Sequence, residues 1–506
     1  MISPVSIVDL FSGPGGLGEG FAAVPGASGQ AYRIEVSVEK EATAHATLRL
    51  RAFLRRFPIL PEYLGWLRRG GVQPDWSTLY PTDWAAAEHE ACCLELGSEA
   101  GTDLLEARIQ SLEASGQKKT LLIGGPPCQA YSLVGRSRNA GIAGYDAIKD
   151  HRNFLYEEYV RVLNRLKPVV FVMENVKGIL SSSVQGRAIF ASVTRDLMAA
   201  GDGYRLFALS AEGRLTGDPG PKDFIVRAED HGVPQARHRV IIVGVRADVA
   251  DRLPVELAPR LTKSDRVVTV KQTIQDLPKL RSGISRGDSP AAWLDAMLAA
   301  IDRVEAALAD SEVAHPGAFR AILEEMRANV GTTATLGRGG NTLTAVSLDL
   351  PTNLADWLSG RASGVVTHHD TRGHMPSDLS RYLFAACHAR IEGVSPRAAA
   401  FPASLAPDHR NWNSGKFNDR FRVQLADQPS STITSHISKD GHYFIHPDPF
   451  QCRSLTVREA ARLQTFPDDY VFLGNRTQQY VQVGNAVPPW LARQIAEAVL
   501  PIYDRI

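Results

Sequence analysis

The sequence VSIVDLFSGPGGLG at residues 5–18 joins an apolar run to a glycine-rich turn. The apolar run has the length and composition of a buried strand, and a helix is expected to follow the turn. Gly13, Gly15 and Gly18 match the G-x-G-x-x-G pattern of dinucleotide-binding turns, with acidic Glu39 about twenty residues farther on. This order of elements predicts a ligand site at the carboxyl end of the first strand.

The composition of the turn narrows the class of ligand. Pro14 has no backbone N–H and therefore removes one donor from a cradle for pyrophosphate. A ligand with an adenosine ribose but no phosphates tolerates that loss, and Glu39 can accept hydrogen bonds from both ribose hydroxyls. S-adenosylmethionine fits this description. The turn alone leaves two alternatives open, which are the nicotinamide cofactor of an oxidoreductase and a simple tight turn.

Strand and helix patterns alternate along the first half of the chain. Apolar runs at 121–123, 169–173 and 240–245 are typical of buried strands, and 153–166 has helical periodicity. This alternation predicts an α/β fold with an open, mostly parallel sheet covered by helices on both faces. The other predicted elements are a strand ending at 36–38, one helical stretch over 41–70, a third strand at 92–96, two helices across 290–330 and a capped helix at 456–464.

The pattern changes after about residue 250, where polar residues with weak periodicity become frequent. We therefore expect three segments: 1–258 as the first part of the main domain, 259–450 as a smaller domain with a helical insertion, and 451–506 as a return to the main domain. The insertion at 51–120 has no assigned role.

Composition indicates an ordinary soluble protein. Apolar residues make up 44% of the chain, charged residues 22%, and the net charge is +1, so a nucleic-acid partner must be argued from local features. No apolar run of roughly 18 residues predicts a membrane span, and the start does not resemble a secretory signal. The five cysteines include no C-x-x-C pair, which favours a reducing, cytoplasmic location without disulfides or zinc.

Three further groups have the chemistry of a catalytic site. Cys128 lies in the stiff loop GGPPCQ, where a strand ends and a thiol is exposed for attack. Glu174 ends a buried strand at the edge where α/β sheets bind ligands. Arg237 and Arg239 precede another strand, where they can bind a carbonyl oxygen or a phosphate. Each has a simpler structural interpretation, as a core thiol, a salt-bridge acid and surface charges.

These groups fall in the order of a known family, since six motifs of the chain resemble those of DNA cytosine-5 methyltransferases. The motifs are DLFSGPGG at 9–16, GPPCQ at 125–129, MENV at 173–176, Q-x-R-x-R at 235–239, REAARLQTFP at 458–467 and QVGNAVPP at 482–489. The resemblance implies a Rossmann-like, S-adenosylmethionine-dependent methyltransferase domain and a smaller target-recognition domain.

The resemblance also implies catalytic roles. Cys128, as thiolate, would add to C6 of cytosine, and Glu174 would protonate N3. Arg239 would hold O2, and Arg237 would steady Glu174 or a backbone phosphate. Aromatic C5 is a poor nucleophile without such an addition, so the residue chemistry supports a covalent step independently.

By the same resemblance, one group of residues binds the cofactor and another binds DNA. The expected cofactor residues are Phe11, Ser12, Gly13, Gly15, Gly16, Glu39, Lys40, Leu96, Asn485 and Ala486. Lys40 stands where the family often has an aromatic residue, and Leu96 is a weak match to the family's adenine-contacting position. The expected DNA-binding residues are Gln129, Ser132, Arg410, Arg420, Arg422, Thr432 and Thr434. Segment 432–434 resembles the family's Thr-Ile/Leu-Thr element, and 368–374, although rich in histidine, is interpreted as a polar loop and not as a metal site.

The favoured hypothesis is a bacterial enzyme that methylates duplex DNA in the cytoplasm, near the nucleoid, as the modification half of a restriction or defence system with cognate partner proteins. The alternatives are a tRNA cytosine-5 methyltransferase, whose recognition region is shorter than the one here, and a catalytically silent DNA-binding relative. The intact Cys128, Glu174 and Arg239 argue against the silent relative.

Overall fold

A central sheet of eight strands organises the part of the chain that the computed structural model describes. The structure describes residues 3–27, 29–127, 155–184, 187–210, 219–309, 312–340, 342–343, 349–360, 364–408, 412 and 418–506. The strands are β1 (Val5–Leu10), β2 (Tyr32–Glu39), β3 (Ala91–Cys93), β4 (Thr120–Gly124), β5 (Val170–Val176), β6 (Tyr204–Ala208), β7 (Ile225–Arg227) and β8 (His238–Arg246).

The strand order across the sheet is β6-β8-β5-β4-β1-β2-β3, and β7 pairs with β8 off this path. All neighbours from β5 to β3 are parallel. Strand β8 is antiparallel to β5, β6 and β7. The predicted fold class, a mostly parallel α/β sheet of Rossmann-like methyltransferase type, is therefore confirmed. The order reverses at β1 and β4, so the carboxyl ends of these strands border the crevice where such sheets bind ligands.

Helices cover both faces of the sheet. Side chains alternate along β1, so Ile7 packs in one hydrophobic core and Val8 in a second core on the opposite face. The helices of seven or more described residues are α1 (Gly16–Ala22), α2 (Ala42–Leu54), α3 (Pro61–Arg69), α4 (Pro81–Glu90), α5 (Glu99–Ala114), α6 (Leu155–Leu166), α7 (Ile189–Ala199), α8 (Pro290–Ala309), α9 (Pro316–Ala334), α10 (Thr352–Ser359), α11 (Pro376–Glu392), α12 (Val457–Leu463), α13 (Arg476–Asn485) and α14 (Pro489–Val499). Among the described residues, none of the helices is long and apolar enough to cross a membrane.

The segment 259–450 does not form one separate body. Helices α8, α9 and α11 build a core of their own around buried Trp293 and Phe319. Helix α10, in contrast, packs Leu354 and Leu358 into the core of the main sheet. The smaller unit is therefore interrupted by a helix that belongs to the larger one.

The prediction of one helical stretch over 41–70 is wrong, because α2 ends at Leu54 and α3 begins at Pro61. Helix α2 also contributes a buried charge to the fold. Arg51 is 2% exposed and forms ion pairs with Glu19 and Asp469. The segment between β2 and β3 encloses an aromatic core that includes Phe53 and Trp76.

Candidate active site

The glycine-rich turn after β1 is held in a conformation that requires glycine. Gly13 has φ +57° and Gly15 has φ +102°, both in the left-handed region. The Gly15 N–H donates to the Ser12 carbonyl at 2.9 Å, and Gly15 is the N-cap of α1. Phe11 also has a positive φ of 57°, a strained value for an aromatic residue. The turn therefore presents a fixed backbone at the carboxyl end of β1.

Glu39, at the end of β2, binds this turn directly. Its Oε2 accepts a hydrogen bond from the Gly13 N–H at 2.8 Å, and its Oε1 accepts one from the Glu41 N–H at 2.7 Å. Burial raises the pKa of Glu39 above its ordinary value, and the backbone donors oppose that shift. The carboxylate predicted to bind a ribose thus also positions the turn.

Lys40 and the end of β3 form the outer wall of this region. The Lys40 Nζ lies 2.5 Å from the Glu95 Oε1, in an ion pair between two solvent-exposed side chains. Leu96, which was predicted to contact the cofactor, is 4% exposed and packs in the hydrophobic core with Val38. Glu95 lies two residues after the end of β3, so this ion pair joins the chain after β2 to the chain after β3.

The motif at 482–489 packs directly against the turn, as the resemblance implies. A Cβ added to Gly16 would lie 2.4 Å from the Val487 carbonyl oxygen and 3.3 Å from the Ala486 Cβ. Asn485, the last residue of α13, is exposed beside it. The predicted cofactor residues from the two ends of the chain are therefore brought together.

Glu174 and Arg239 meet across two neighbouring strands. Because Glu174 pairs with Ile241 in the β5–β8 register, Arg239 lies two residues away along β8. The Arg239 Nε is 2.9 Å from the Glu174 Oε1, and both side chains are about one-seventh exposed. A Cβ on Gly125 would lie 3.0 Å from the Glu174 Oε2, so the loop after β4 passes directly over this carboxylate.

Cys128 itself lies outside the described residues, as do Gln129, Ser132 and Arg410. The structure does describe the start of their loop. The Asn175 side-chain amide donates to the Pro126 carbonyl at 3.3 Å, which ties the loop to the residue after Glu174. The chain thus enters the segment with the thiol from beside the Glu174–Arg239 pair.

Arg237 is buried between the segment around Ile433 and the end of α13. Its side chain is buried, and its Nη1 donates to the carbonyls of Ile433 at 2.8 Å and Gly484 at 3.4 Å. Burial, with a smaller effect from the nearby Arg239 charge, lowers the pKa of the Arg237 guanidinium. This geometry leaves it no access to a DNA phosphate. Arg237 instead joins residues 432–439 (the recognition segment) to the end of α13.

Some of the predicted DNA-binding residues already make contacts within the protein, and others are exposed. Thr432 donates from its hydroxyl to the Ala236 carbonyl at 2.6 Å, and Ser430–Ser431 pairs in parallel with Gln235–Ala236. Thr434 is exposed. Arg420 and Arg422 lie nearby in ion pairs with Asp440, at 3.2 Å, and with Asp419.

The histidines of 368–374 make structural contacts. The Phe472 N–H donates to the His368 Nε2 at 3.0 Å, and the Ser454 N–H donates to the His374 Nε2 at 3.3 Å. His369 bonds through both ring nitrogens, to the Thr456 hydroxyl and the Pro278 carbonyl. In the described ranges, groups of three or more potential metal ligands are absent.

The strand order and the paired motifs define a methyltransferase of the α/β class. Residues 102–500 match the model of the C-5 cytosine-specific DNA methylase family, so the chain belongs to that family. It is a DNA (cytosine-5-)-methyltransferase, as predicted.

Named relatives agree with this assignment. The chain is 33% identical to the type II methyltransferase M.Bpa9945I of Bacillus paralicheniformis, over 98% of this chain and 99% of that one. It is 24% identical to the DNA (cytosine-5-)-methyltransferase M.ApeKI of Aeropyrum pernix, over 100% of both chains. The fold is similar to that of a protein described as a DNA modification methyltransferase encoded within an E. coli prophage, with a TM-score of 0.51, 17% identity and 99% coverage of both chains.

Proposed function

We propose that this enzyme transfers a methyl group from S-adenosylmethionine to C5 of a cytosine swung out of a specific duplex sequence, through a covalent bond to Cys128. The observation that supports this most directly is the Glu174–Arg239 pair, 2.9 Å apart, directly under the loop that leads to Cys128. A carboxyl and a guanidinium side by side match the N3 and O2 edge of cytosine.

The described residues fit S-adenosylmethionine. A Cβ on Gly13 would meet nothing within 4 Å, so there is open space over the turn. The Glu39 carboxylate borders that space and can accept hydrogen bonds from both hydroxyls of a ribose. Pro14 has no N–H, so the turn lacks one of the backbone donors that would bind a pyrophosphate. When bound, this group supplies the electrophilic methyl that C5 accepts.

The enzyme's own residues move the electrons and protons of the base. The Cys128 thiolate adds to C6, the ring electrons shift toward N3, and protonated Glu174 transfers its proton there. Arg239 holds O2 and keeps the ring in plane with the carboxyl. After C5 is methylated, water removes the C5 proton, the electron pair re-forms the C5–C6 double bond, and the thiolate leaves. N3 returns its proton to Glu174.

The target base lies inside a duplex and must be everted to reach the thiol. Thr434 is exposed and directly follows Ile433, whose carbonyl accepts from Arg237, and we infer that this exposed stretch contacts the DNA. We also propose a role as the modification half of a restriction or defence system, in the bacterial cytoplasm and near the nucleoid; the name of the type II relative M.Bpa9945I supports this proposal.

The test is a trapping experiment with duplex DNA that contains 5-fluorocytosine. With S-adenosylmethionine present, the chain should form an adduct that survives a denaturing gel, and bisulfite sequencing of DNA from expressing cells should reveal the methylated word. Cys128→Ala should abolish both, whereas the exposed free cysteine at Cys93 offers the matched control Cys93→Ala, which should retain both. Adduct formation on tRNA alone, or turnover by Cys128→Ala, would contradict the proposal.

A further inference from the structure

Two fully buried glutamines form a hydrogen-bonded line between the recognition segment and the cofactor side. The Ile433 N–H donates to the Gln235 Oε1 at 2.8 Å. The Gln235 Nε2 donates to the Gln464 Oε1, and the Gln464 Nε2 donates to the Ala486 carbonyl at 2.5 Å. Both glutamines have 0% exposure, so water does not compete for these bonds.

The two ends of this line fix how both amides point. A backbone N–H can only donate, so the Gln235 atom facing Ile433 is its oxygen. A carbonyl can only accept, so the Gln464 atom facing Ala486 is its nitrogen. With both ends set, the bond between the two amides can have only one polarity. A small displacement of either end is therefore opposed by the whole line.

Each end lies in a segment that the proposed function uses. Ile433 stands between Thr432 and Thr434, and Ala486 packs 3.3 Å from the Cβ position of Gly16 in the glycine-rich turn. Arg237 makes a second connection of the same kind, from the Ile433 carbonyl to the Gly484 carbonyl.

The end of α13 and the recognition segment are packed too closely to move independently. A Cβ on Gly484 would lie 2.2 Å from the backbone of both Thr434 and Ser435. The end of α13 and the recognition segment are thus packed backbone against backbone. A shift of one must shift the other or break the buried hydrogen bonds that join them.

We propose that Gln235 and Gln464 are positioning residues that couple DNA binding to cofactor binding. This inference rests on the proposed function, since it requires both ligands. DNA that moves Thr432–Thr434 also moves Ala486, and a cofactor bound against Gly16 and Ala486 also moves Thr432–Thr434. Each ligand therefore changes the binding free energy of the other by the same amount.

The experiment measures the affinity for a duplex bearing the methylated word, with and without saturating S-adenosylhomocysteine, by fluorescence anisotropy. The ratio of the two dissociation constants is the coupling factor. In the wild type it should be about fivefold or more, the range typical of allosteric coupling. Gln464→Met keeps the side-chain volume and removes the line while the Arg237 connection remains, so its factor should fall to about half of the wild-type value or less.

The matched control is Gln482→Met, on helix α13, whose last residue Asn485 precedes Ala486. Gln482 is also buried and makes one bond, to the Leu473 carbonyl at 2.8 Å, but lies outside the line. This variant should keep the wild-type factor. If circular dichroism shows that Gln464→Met does not fold, Gln464→Asn, too short to span the gap, is measured instead.

An unchanged coupling factor in the Gln464 variant would overturn the inference. So would a wild type that methylates DNA but shows no coupling, and that result would leave the proposed function intact. A wild type that neither binds S-adenosylhomocysteine nor methylates DNA would defeat the proposed function first, and the coupling with it.

Discussion

Replacement of His369 by glutamine should reduce the acid sensitivity of the fold by a definite amount. His369 is 1% exposed, and burial lowers its pKa to about 4 from an ordinary value of 6.5. Its Nε2 faces the Pro278 carbonyl and so carries the proton, which leaves Nδ1 to accept from the Thr456 hydroxyl. Protonation of Nδ1 would break that acceptor contact.

The sign and size of the effect follow from linkage. The folded pKa lies below the unfolded one, so the stabilisation is fully present above pH 6.5 and is lost as the pH falls toward 4. Between pH 7 and 5, the unfolded histidine becomes almost fully protonated while the folded one stays neutral. The resulting loss is about 2 kcal/mol.

Urea unfolding at pH 7 and pH 5, followed by tryptophan fluorescence, measures this loss. His369→Gln keeps the donor to Pro278 and loses the Thr456 contact at both pH values, so its destabilisation at pH 7 cancels in the comparison. The variant should lose about 2 kcal/mol less than the wild type between the two pH values. Equal losses in the wild type and His369→Gln would refute the reasoning.

Three further substitutions and one treatment have expected outcomes. Gly16→Ala places a methyl group 2.4 Å from the Val487 carbonyl oxygen, so it should lower the free energy of unfolding by about 1–3 kcal/mol. It should also weaken S-adenosylhomocysteine binding in calorimetry. Gly317→Ala, with open space around its Cβ, is the control and should have neither effect. Glu174→Gln should lower kcat on the order of 10²–10⁴-fold with DNA affinity kept, and near-normal turnover would exclude its proton-transfer role. Arg462→Met removes the ion-pair partner of the buried Asp276 carboxylate and leaves Asp468 with Arg458 at 3.9 Å, so it should cost about 3–5 kcal/mol in urea unfolding; a loss below about 1 kcal/mol would contradict this. Dialysis against a chelator should leave methyl transfer unchanged in a tritium-incorporation assay, and a loss restored by added metal would contradict the absence of a metal step.

Local features of the fold could be predicted from the sequence because their causes are local. The alternation of apolar runs predicts the sheet, and the glycine pattern predicts the turn after β1. The helix beginning after Thr456 was identified from its capping box, and Thr456 indeed accepts from the Glu459 N–H while Glu459 accepts from the Thr456 N–H. Two helices were also predicted across 290–330, and α8 and α9 cover Pro290–Ala309 and Pro316–Ala334.

The environment of the charged residues could not be predicted in this way. Arg51 and Arg237 have the sequence context of surface or cleft residues, yet both are buried. Their partners are far away along the chain: Asp469 for Arg51, and the carbonyls of Ile433 and Gly484 for Arg237. Burial of a charge depends on such distant partners, so periodicity within one helix or strand does not reveal it.

For the candidate site, the residues could be predicted from the sequence, but the contacts between them could not. Glu174 and Arg239 were each identified by their position at a strand end, but their contact depends on the antiparallel register of β5 and β8, which no local pattern specifies. The pairing of Lys40 with Glu95 depends likewise on two strands that are separated by the aromatic segment around Phe53.

The covering of the first strands by the last helix has a consequence for biosynthesis. Tyr32 donates to the Ala496 carbonyl at 2.7 Å, and Tyr503 donates to the Thr120 carbonyl at 2.9 Å. Residues beyond 496 therefore have to be synthesised before β2 and β4 gain these two hydrogen bonds, so the covering of the sheet is completed late. We expect a nascent chain that lacks this last helix to be inactive, although its recognition segment has already been synthesised.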